Sequence, residues 1–131
     1  MLTGHCVCGA TGWRLTEMPE DATSCNCTHC RRFGVLMAYA EEGQGGEITG
    51  ETFQYIWGDR YIAFHHCPTC GNFLGWTDQS EEDGPHRFSV NLRMADDPAE
   101  VAAIPVQPFE GLVTFEDIPK RGDQCIADLW A

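Results

Sequence analysis

Basic residues are scarce in this 131-residue chain. Lysine and arginine together number 8, against 20 aspartate and glutamate residues, and the formal net charge is −12. A protein that binds nucleic acid through its phosphates needs a basic surface, so this composition argues against a general nucleic-acid binder. The same charge argues against docking on an anionic membrane. We therefore expect neither a nucleic-acid partner nor a membrane partner.

Long apolar runs are lacking as well. The longest nearly apolar stretches, residues 35–40 and 101–106, are far too short to cross a bilayer. The first residues show no charged segment followed by an apolar one, so no secretory signal peptide is predicted. We expect a cytoplasmic protein, in which thiols stay reduced.

Internal repeats and long helical patterns are also missing, whereas short runs of β-forming residues recur between turn signals. This pattern predicts an all-β domain over residues 1–116, followed by a C-terminal tail at 117–131. A helical turn is predicted to begin near Thr28 and to end at Gly34, and residues 16–24 are predicted to be a loop. Strands are predicted at 10–15, 35–41, 47–49, 52–57, 60–66, 72–77, 87–94 and, weakly, 113–115.

Cysteine is abundant, with eight residues. Seven of them occur in three closely spaced groups, and Cys125 stands alone in the predicted tail. Reduced cysteines at such spacing indicate metal binding rather than disulfides. The three groups are Cys6 with Cys8, then Cys25 with Cys27 and Cys30, and finally Cys67 with Cys70.

The first and third groups together supply four thiolates, and we call them the four-cysteine cluster (Cys6, Cys8, Cys67 and Cys70). Zinc prefers four ligands in a tetrahedron, and closed sites of this kind are structural. The spacing therefore predicts one structural zinc, which would join the N-terminal strand to the middle of the chain.

The middle group, or three-cysteine cluster (Cys25, Cys27 and Cys30), then remains with three ligands. Three protein ligands with one open position are typical of catalytic zinc. An open position beside thiolates suits a further soft ligand, such as an incoming thiolate. The sequence thus predicts a second zinc site that is open to a small-molecule thiol.

The same cysteines lie in three motifs, GHCVCG at 4–9, CNCTHCRR at 25–32 and FHHCPTCG at 64–71. In order and spacing, they resemble the motifs of the glutathione-dependent formaldehyde-activating enzyme family, which includes centromere protein V. The resemblance covers roughly residues 2–115. It implies a β-tent fold, a small antiparallel β architecture with structural zinc at the first and third motifs. It also implies a catalytic zinc at the middle motif and the condensation of formaldehyde with glutathione.

The resemblance implies a zinc-dependent carbon–sulfur lyase that adds a thiol such as glutathione to a small aldehyde, or removes it. Zinc would lower the pKa of the thiol, so that the thiolate attacks the aldehyde carbon near neutral pH. The candidate proton donors, by sequence proximity, are His29, His65 and His66. Two other functions stay open, namely a non-catalytic zinc-stabilised binding module and a sensor of thiols or zinc.

Four polar residues are candidates for holding a glutathione-like ligand. Arg31 and Arg32 directly follow the three-cysteine cluster, where they can offset thiolate charge or bind a carboxylate in bidentate fashion. Asn91 and Arg93 are predicted to share one face of a strand and to line the same pocket. The sequence leaves the oligomeric state open.

Overall fold

Strands dominate the computed structural model, which describes residues 1–130. Strands make up 41% of it and helices 13%, so the predicted all-β class is confirmed. Ala131, the last residue of the predicted tail, lies outside the described residues. The strands are β1 (Leu2–His5), β2 (Gly12–Leu15), β3 (Ala22–Cys25), β4 (Met37–Glu41), β5 (Gly46–Thr49), β6 (Phe53–Trp57), β7 (Ile62–His66), β8 (Phe73–Asp78), β9 (Arg87–Asn91), β10 (Val106–Glu110) and β11 (Glu116–Asp117). The α-helices are α1 (Thr28–Phe33) and α2 (Pro98–Val101), and 3₁₀ helices span Leu92–Met94 and Ile126–Leu129.

The strands form two sheets. The smaller sheet has the order β1-β2-β5, and the larger has the order β11-β10-β3-β4-β9-β8-β7-β6. Neighbouring strands are antiparallel, with one exception among the described residues, the parallel pair of β3 and β10. The hairpin of β6 and β7 forms around the predicted turn at Gly58, which has a positive φ of 62°.

One large core contains residues from both sheets, and Trp13 of β2 is its bulkiest member. The Trp13 indole Nε1 donates a hydrogen bond to the carbonyl oxygen of Asn91, at 3.1 Å, which links the smaller sheet to the end of β9. Strand β1 passes so close to this ring that a Cβ atom at Gly4 would lie 2.6 Å from it. Burying an indole with its N–H satisfied stabilises the contact between the two sheets.

Three predicted elements differ from the observed ones. Strand β9 ends at Asn91, earlier than the predicted end at residue 94, because the Asn91 side chain accepts a hydrogen bond from the Arg93 amide and starts a 3₁₀ helix. Strand β3 occupies part of the predicted loop at 16–24. Strand β10 was not predicted, because it contains Pro108, and proline argues against an internal strand.

The segment after residue 116 packs against the core. Ile126 is fully buried, and its amide donates to the carbonyl oxygen of Ile104 at 3.0 Å. Cys125 is half-buried, with its Sγ atom 3.5 Å from Oδ2 of Asp128. The division of the chain at residue 116 stays a prediction.

Replacing Ile126 by alanine tests whether this segment contributes to the stability of the domain. We expect Ile126→Ala to lower the free energy of unfolding by about 2–5 kcal/mol, because it leaves a cavity in a closed core. Lys120→Ala, at an exposed position in the same segment, should change it by less than about 0.5 kcal/mol. Urea denaturation measures both, and equal effects of the two substitutions would show that the segment behaves as a tail.

Candidate functional site

The structure brings the four-cysteine cluster together, with all four Sγ atoms within 4.8 Å of one another. Cys8 Sγ lies 3.6 Å from Cys6 Sγ and 3.6 Å from Cys67 Sγ. In a zinc tetrahedron with Zn–S bonds of about 2.3 Å, sulfurs lie roughly 3.8 Å apart. The cluster therefore has both the donor set and the spacing that can hold zinc.

Backbone groups around the four-cysteine cluster favour thiolates. The Thr11 amide donates to Cys6 Sγ at 3.4 Å, and the Cys70 amide donates to Cys67 Sγ at 3.5 Å. Burial opposes ionisation of Cys6, yet hydrogen bonds from Thr11 and from neighbouring thiols lower its pKa to about 5. Gly71 closes the second pair with a φ of 78°, a conformation that favours glycine.

The three-cysteine cluster lies where β3 leads into α1, and its Sγ atoms also lie within 4.8 Å of one another. Cys25 ends β3, Cys27 is the N-cap of α1, and Cys30 lies inside that helix. The Cys27 amide donates to Cys25 Sγ at 3.4 Å, and the Cys30 amide donates to Cys27 Sγ at 3.2 Å. Within residues 1–130, no fourth cysteine, histidine or carboxylate joins this group. The chain thus offers three converging ligands for a metal ion.

The three sulfurs strongly perturb one another. Hydrogen bonds from Cys25 and Cys30 lower the pKa of the Cys27 thiol to about 2. The hydrogen bonds that Cys30 makes with these two sulfurs, together with its burial, raise its own pKa above the usual value. One negative charge is thus favoured and further charges are opposed, so a divalent cation would greatly favour the fully ionised cluster.

An open cavity of about 590 Å³, which we call the apolar cavity, is lined in part by the three-cysteine cluster. Among the described residues that line it, Asp59 alone carries a formal charge outside the cysteines. The walls otherwise consist mainly of rings and aliphatic side chains. The aromatic lining residues are Tyr39, Trp57, Phe64, Trp76, Phe109 and Phe115.

A second cavity, of about 340 Å³, is lined by Arg31, Arg93 and Arg121, and we call it the arginine pocket. Cys25 and Cys30 line both cavities. The three-cysteine cluster therefore lies between the apolar cavity and the arginine pocket. Arg121 was missed by the sequence analysis, because it lies far along the chain from the cysteine motifs and no local pattern marks it.

Two of the four predicted polar ligands line the arginine pocket, namely Arg31 and Arg93. The Arg93 guanidinium is fixed there, because Nε donates to the carbonyl oxygen of Gly34 at 2.6 Å and Nη2 donates to that of Leu129 at 3.2 Å. Arg93 belongs to the 3₁₀ helix after β9, so the predicted shared strand face with Asn91 does not exist.

The other two predicted ligands are bound elsewhere and do not line the arginine pocket. Arg32 Nη1 donates to the carbonyl oxygen of Thr28 at 2.8 Å, on its own helix. Asn91 is buried, and its Nδ2 donates to the carbonyl oxygen of Phe73 at 3.0 Å. The geometry gives Arg32 and Asn91 local structural roles rather than contact with a ligand.

None of the three predicted proton donors lines either cavity. Both ring nitrogens of His65 form hydrogen bonds, Nδ1 with the Thr52 hydroxyl at 2.7 Å and Nε2 with the Thr77 hydroxyl at 2.8 Å. His29 and His66 line another shallow pocket, and the His29 ring stacks on Phe64, with 3.9 Å between the ring centres.

Burial favours the neutral form of His29 and of His65, since it lowers the pKa of each to about 4. Of the described residues that line the apolar cavity and the arginine pocket, none is a histidine. The three histidines therefore form no part of the walls of either cavity, and their role as proton donors stays a prediction.

Glu110 holds the loop that forms one wall of the apolar cavity. Its carboxylate accepts hydrogen bonds from the amides of Thr114 at 2.7 Å, Val113 at 2.9 Å and Leu112 at 3.0 Å. These bonds lower the pKa of Glu110 to about 2. The weak strand predicted at 113–115 is thus a loop. Gly111, which follows Glu110, lies so close to the three-cysteine cluster that a Cβ atom there would be 2.6 Å from Cys25 Sγ.

A mostly β fold with two clusters of cysteines that could hold metal ions defines the class of this protein. The sequence pattern of the glutathione-dependent formaldehyde-activating enzymes matches residues 1–108, and the chain belongs to that family. The fold is similar to a crystal structure of a protein from Rhodobacter sphaeroides, with a TM-score of 0.61 and 26% sequence identity over 79% of this chain and 98% of the other. No curated protein matches significantly. Among residues 1–130, no helix has the length and apolar character needed to cross a membrane.

Metal content tests the assignment of the two clusters. We expect the reduced protein to hold two zinc ions per chain and Cys27→Ser to hold one, because serine removes a thiolate from the three-cysteine cluster alone. Cys125→Ser is the matched control, since Cys125 belongs to neither cluster. Elemental analysis and circular dichroism measure zinc and folding together. A folded Cys27→Ser protein that keeps two zinc ions would contradict the assignment.

Proposed function

We propose that this protein catalyses the reversible addition of a glutathione-like thiol to an aldehyde, next to the three-cysteine cluster. The observation that carries the proposal is the position of Cys25 and Cys30 between a basic pocket and an apolar cavity. Membership of the glutathione-dependent formaldehyde-activating family supports thiol–aldehyde chemistry in general. The two cavities suit the two halves of such a product, an anionic thiol and a neutral carbonyl compound.

Zinc is the metal that the donor set of the three-cysteine cluster favours, because thiolates are soft ligands and three of them leave one tetrahedral position open. Cys25, Cys27 and Cys30 would hold it. When bound, zinc would supply positive charge that favours the thiolate form of an incoming thiol near neutral pH.

The arginine pocket is the proposed site for the carboxylates of glutathione. Guanidinium groups bind carboxylates in bidentate fashion and stay charged at all physiological pH values. Arg31 and Arg121 present the side chains for this contact, while Arg93 contributes charge from its fixed position. Such a local basic pocket is needed here, because the net charge of −12 repels an anionic thiol from most of the surface.

Tyr39 is the proposed proton donor. In the forward step the sulfur forms a bond to the carbonyl carbon, the carbonyl π electrons move to oxygen, and that oxygen takes up a proton; the reverse step breaks the carbon–sulfur bond. Tyr39 lines the apolar cavity, and burial raises its pKa to about 12, so its hydroxyl stays protonated. Arg87 lies over its ring, with the guanidinium carbon 4.8 Å from the ring centre.

A binding module is the second candidate, and exposed aromatic residues favour it. Strand β6 is an edge strand of the larger sheet. Two of its aromatic side chains are exposed, Phe53 by 60% and Tyr55 by 50%. Phe33 of α1 lines the same shallow surface. This surface lies outside the apolar cavity, so a partner could bind there without covering the three-cysteine cluster.

Replacing Arg121 tests the thiol site. We expect Arg121→Ala in zinc-loaded protein to raise the KM for glutathione about tenfold, because it removes a charge-assisted hydrogen bond. The KM for 2-mercaptoethanol, which has no carboxylate, should stay the same. Initial rates of thiol consumption with a fixed aldehyde measure both constants. Equal effects on the two thiols would show that Arg121 does not bind the carboxylate.

Replacing Tyr39 tests the proton donor. We expect Tyr39→Phe to lower kcat about a hundredfold, as is usual on loss of a general acid, with little change in the KM for glutathione. Tyr55→Phe is the control, because Tyr55 lies outside both cavities. If Tyr39→Phe retains the wild-type kcat and pH profile, the proton comes from another group.

A further inference from the structure

The apolar cavity is far larger than formaldehyde requires. Formaldehyde has one carbon and one oxygen atom, whereas the cavity measures about 590 Å³, on the order of twenty times the volume of one water molecule in the liquid. Cavities of roughly 300–1,000 Å³ are the usual sites of organic ligands with many atoms. A one-carbon aldehyde would leave most of this cavity filled with water.

The walls are suited to a neutral apolar group. Trp57 is 39% exposed, Leu112 is 48% exposed and Phe115 is 66% exposed, so these side chains meet water unless a ligand covers them. Arg31, Arg93 and Arg121 lie in the other pocket, and apart from the cysteines Asp59 is the one charged side chain among the described residues that line this cavity. An anionic substituent would meet no lysine or arginine among the described residues that line this cavity.

The wall formed by the 111–115 loop is built into the fold. Phe115 has a φ of 55°, which is unfavourable for a residue other than glycine. The hydrogen bonds from the loop amides to Glu110 maintain this conformation. Backbone strain of this kind persists where the surrounding structure holds it, and here it places an aromatic ring at the cavity next to the cluster.

We propose that the aldehyde used at this site carries an apolar substituent of about phenylalkyl size, which occupies the apolar cavity while the carbonyl carbon lies at the three-cysteine cluster. This inference rests on the proposed thiol–aldehyde function and specifies its substrate. The reaction remains an addition without redox change. The thiol gives up one proton, the carbonyl oxygen takes one up from Tyr39, and Tyr39 regains a proton from solvent, while the new carbon–sulfur bond replaces the carbonyl π bond.

A comparison of two aldehydes tests the inference. Zinc-loaded protein with saturating glutathione is assayed with formaldehyde and with 3-phenylpropanal, and each rate is divided by the uncatalysed rate. We expect this rate enhancement to be at least about tenfold greater for 3-phenylpropanal. Even one additional methylene group in an apolar pocket changes kcat/KM by about tenfold or more. Trp57→Ala should lower the ratio of the two enhancements about tenfold.

Tyr61→Ala is the matched control, because Tyr61 is an exposed aromatic residue of the same hairpin that does not line the apolar cavity. The unreactive alcohol 3-phenylpropan-1-ol gives a readout without catalysis. By calorimetry we expect it to bind wild-type protein and Tyr61→Ala equally, and Trp57→Ala about tenfold more weakly.

The outcomes separate the inference from the proposed function. Greater enhancement for 3-phenylpropanal that falls in Trp57→Ala supports the inference. Equal or greater enhancement for formaldehyde, with no binding of the alcohol, overturns the inference and leaves the proposed function standing. No enhancement for either aldehyde overturns the proposed function and the inference with it.

Discussion

Strand β10 runs parallel to β3, and the candidate site depends on this pairing. The register places Phe109 beside Cys25 at the end of β3, directly before the cluster. The chain then turns through Gly111, and the loop held by Glu110 becomes a wall of the apolar cavity. The same return of the chain brings Arg121 to the opposite side of the cluster. A residue larger than glycine at position 111 would collide with Cys25 Sγ, so the close approach is a strict steric constraint.

The resulting separation of charge gives a physical basis for the proposed chemistry. In an acidic protein, an anionic thiol needs a local basic pocket, and three arginines supply it. The carbonyl compound would bind against an apolar surface, and aromatic side chains supply it. The three-cysteine cluster between them would attract a soft cation and the sulfur of the thiol.

The four-cysteine cluster lies elsewhere and contains residues from both sheets, since Cys6 follows β1 of the smaller sheet and Cys67 follows β7 of the larger one. A metal ion there would join the two sheets.

Local patterns in the sequence were enough to predict the all-β class, the helical turn at Thr28 and the grouping of seven cysteines, because each depends on neighbouring residues. The site around the cluster depends on distant ones. Strand β10 was not predicted because it contains Pro108, and no local sequence pattern marks Arg121 as a residue of the site. Sequence proximity also favoured His65 as a proton donor, whereas in the fold both of its ring nitrogens form hydrogen bonds with threonine hydroxyls. Tyr39, which does line the cavity, lies in a nearly apolar strand with no local pattern that marks a functional residue.

The open coordination position at the three-cysteine cluster is the central claim, and zinc K-edge X-ray absorption tests it most directly. Protein with both zinc sites filled should show an average of about 3.5 sulfur ligands per zinc, since one site offers four thiolates and the other three. Saturating glutathione should raise the average to about 4, as its thiol fills the open position. An average of about 4 before glutathione is added, or no change at saturation, would contradict the account.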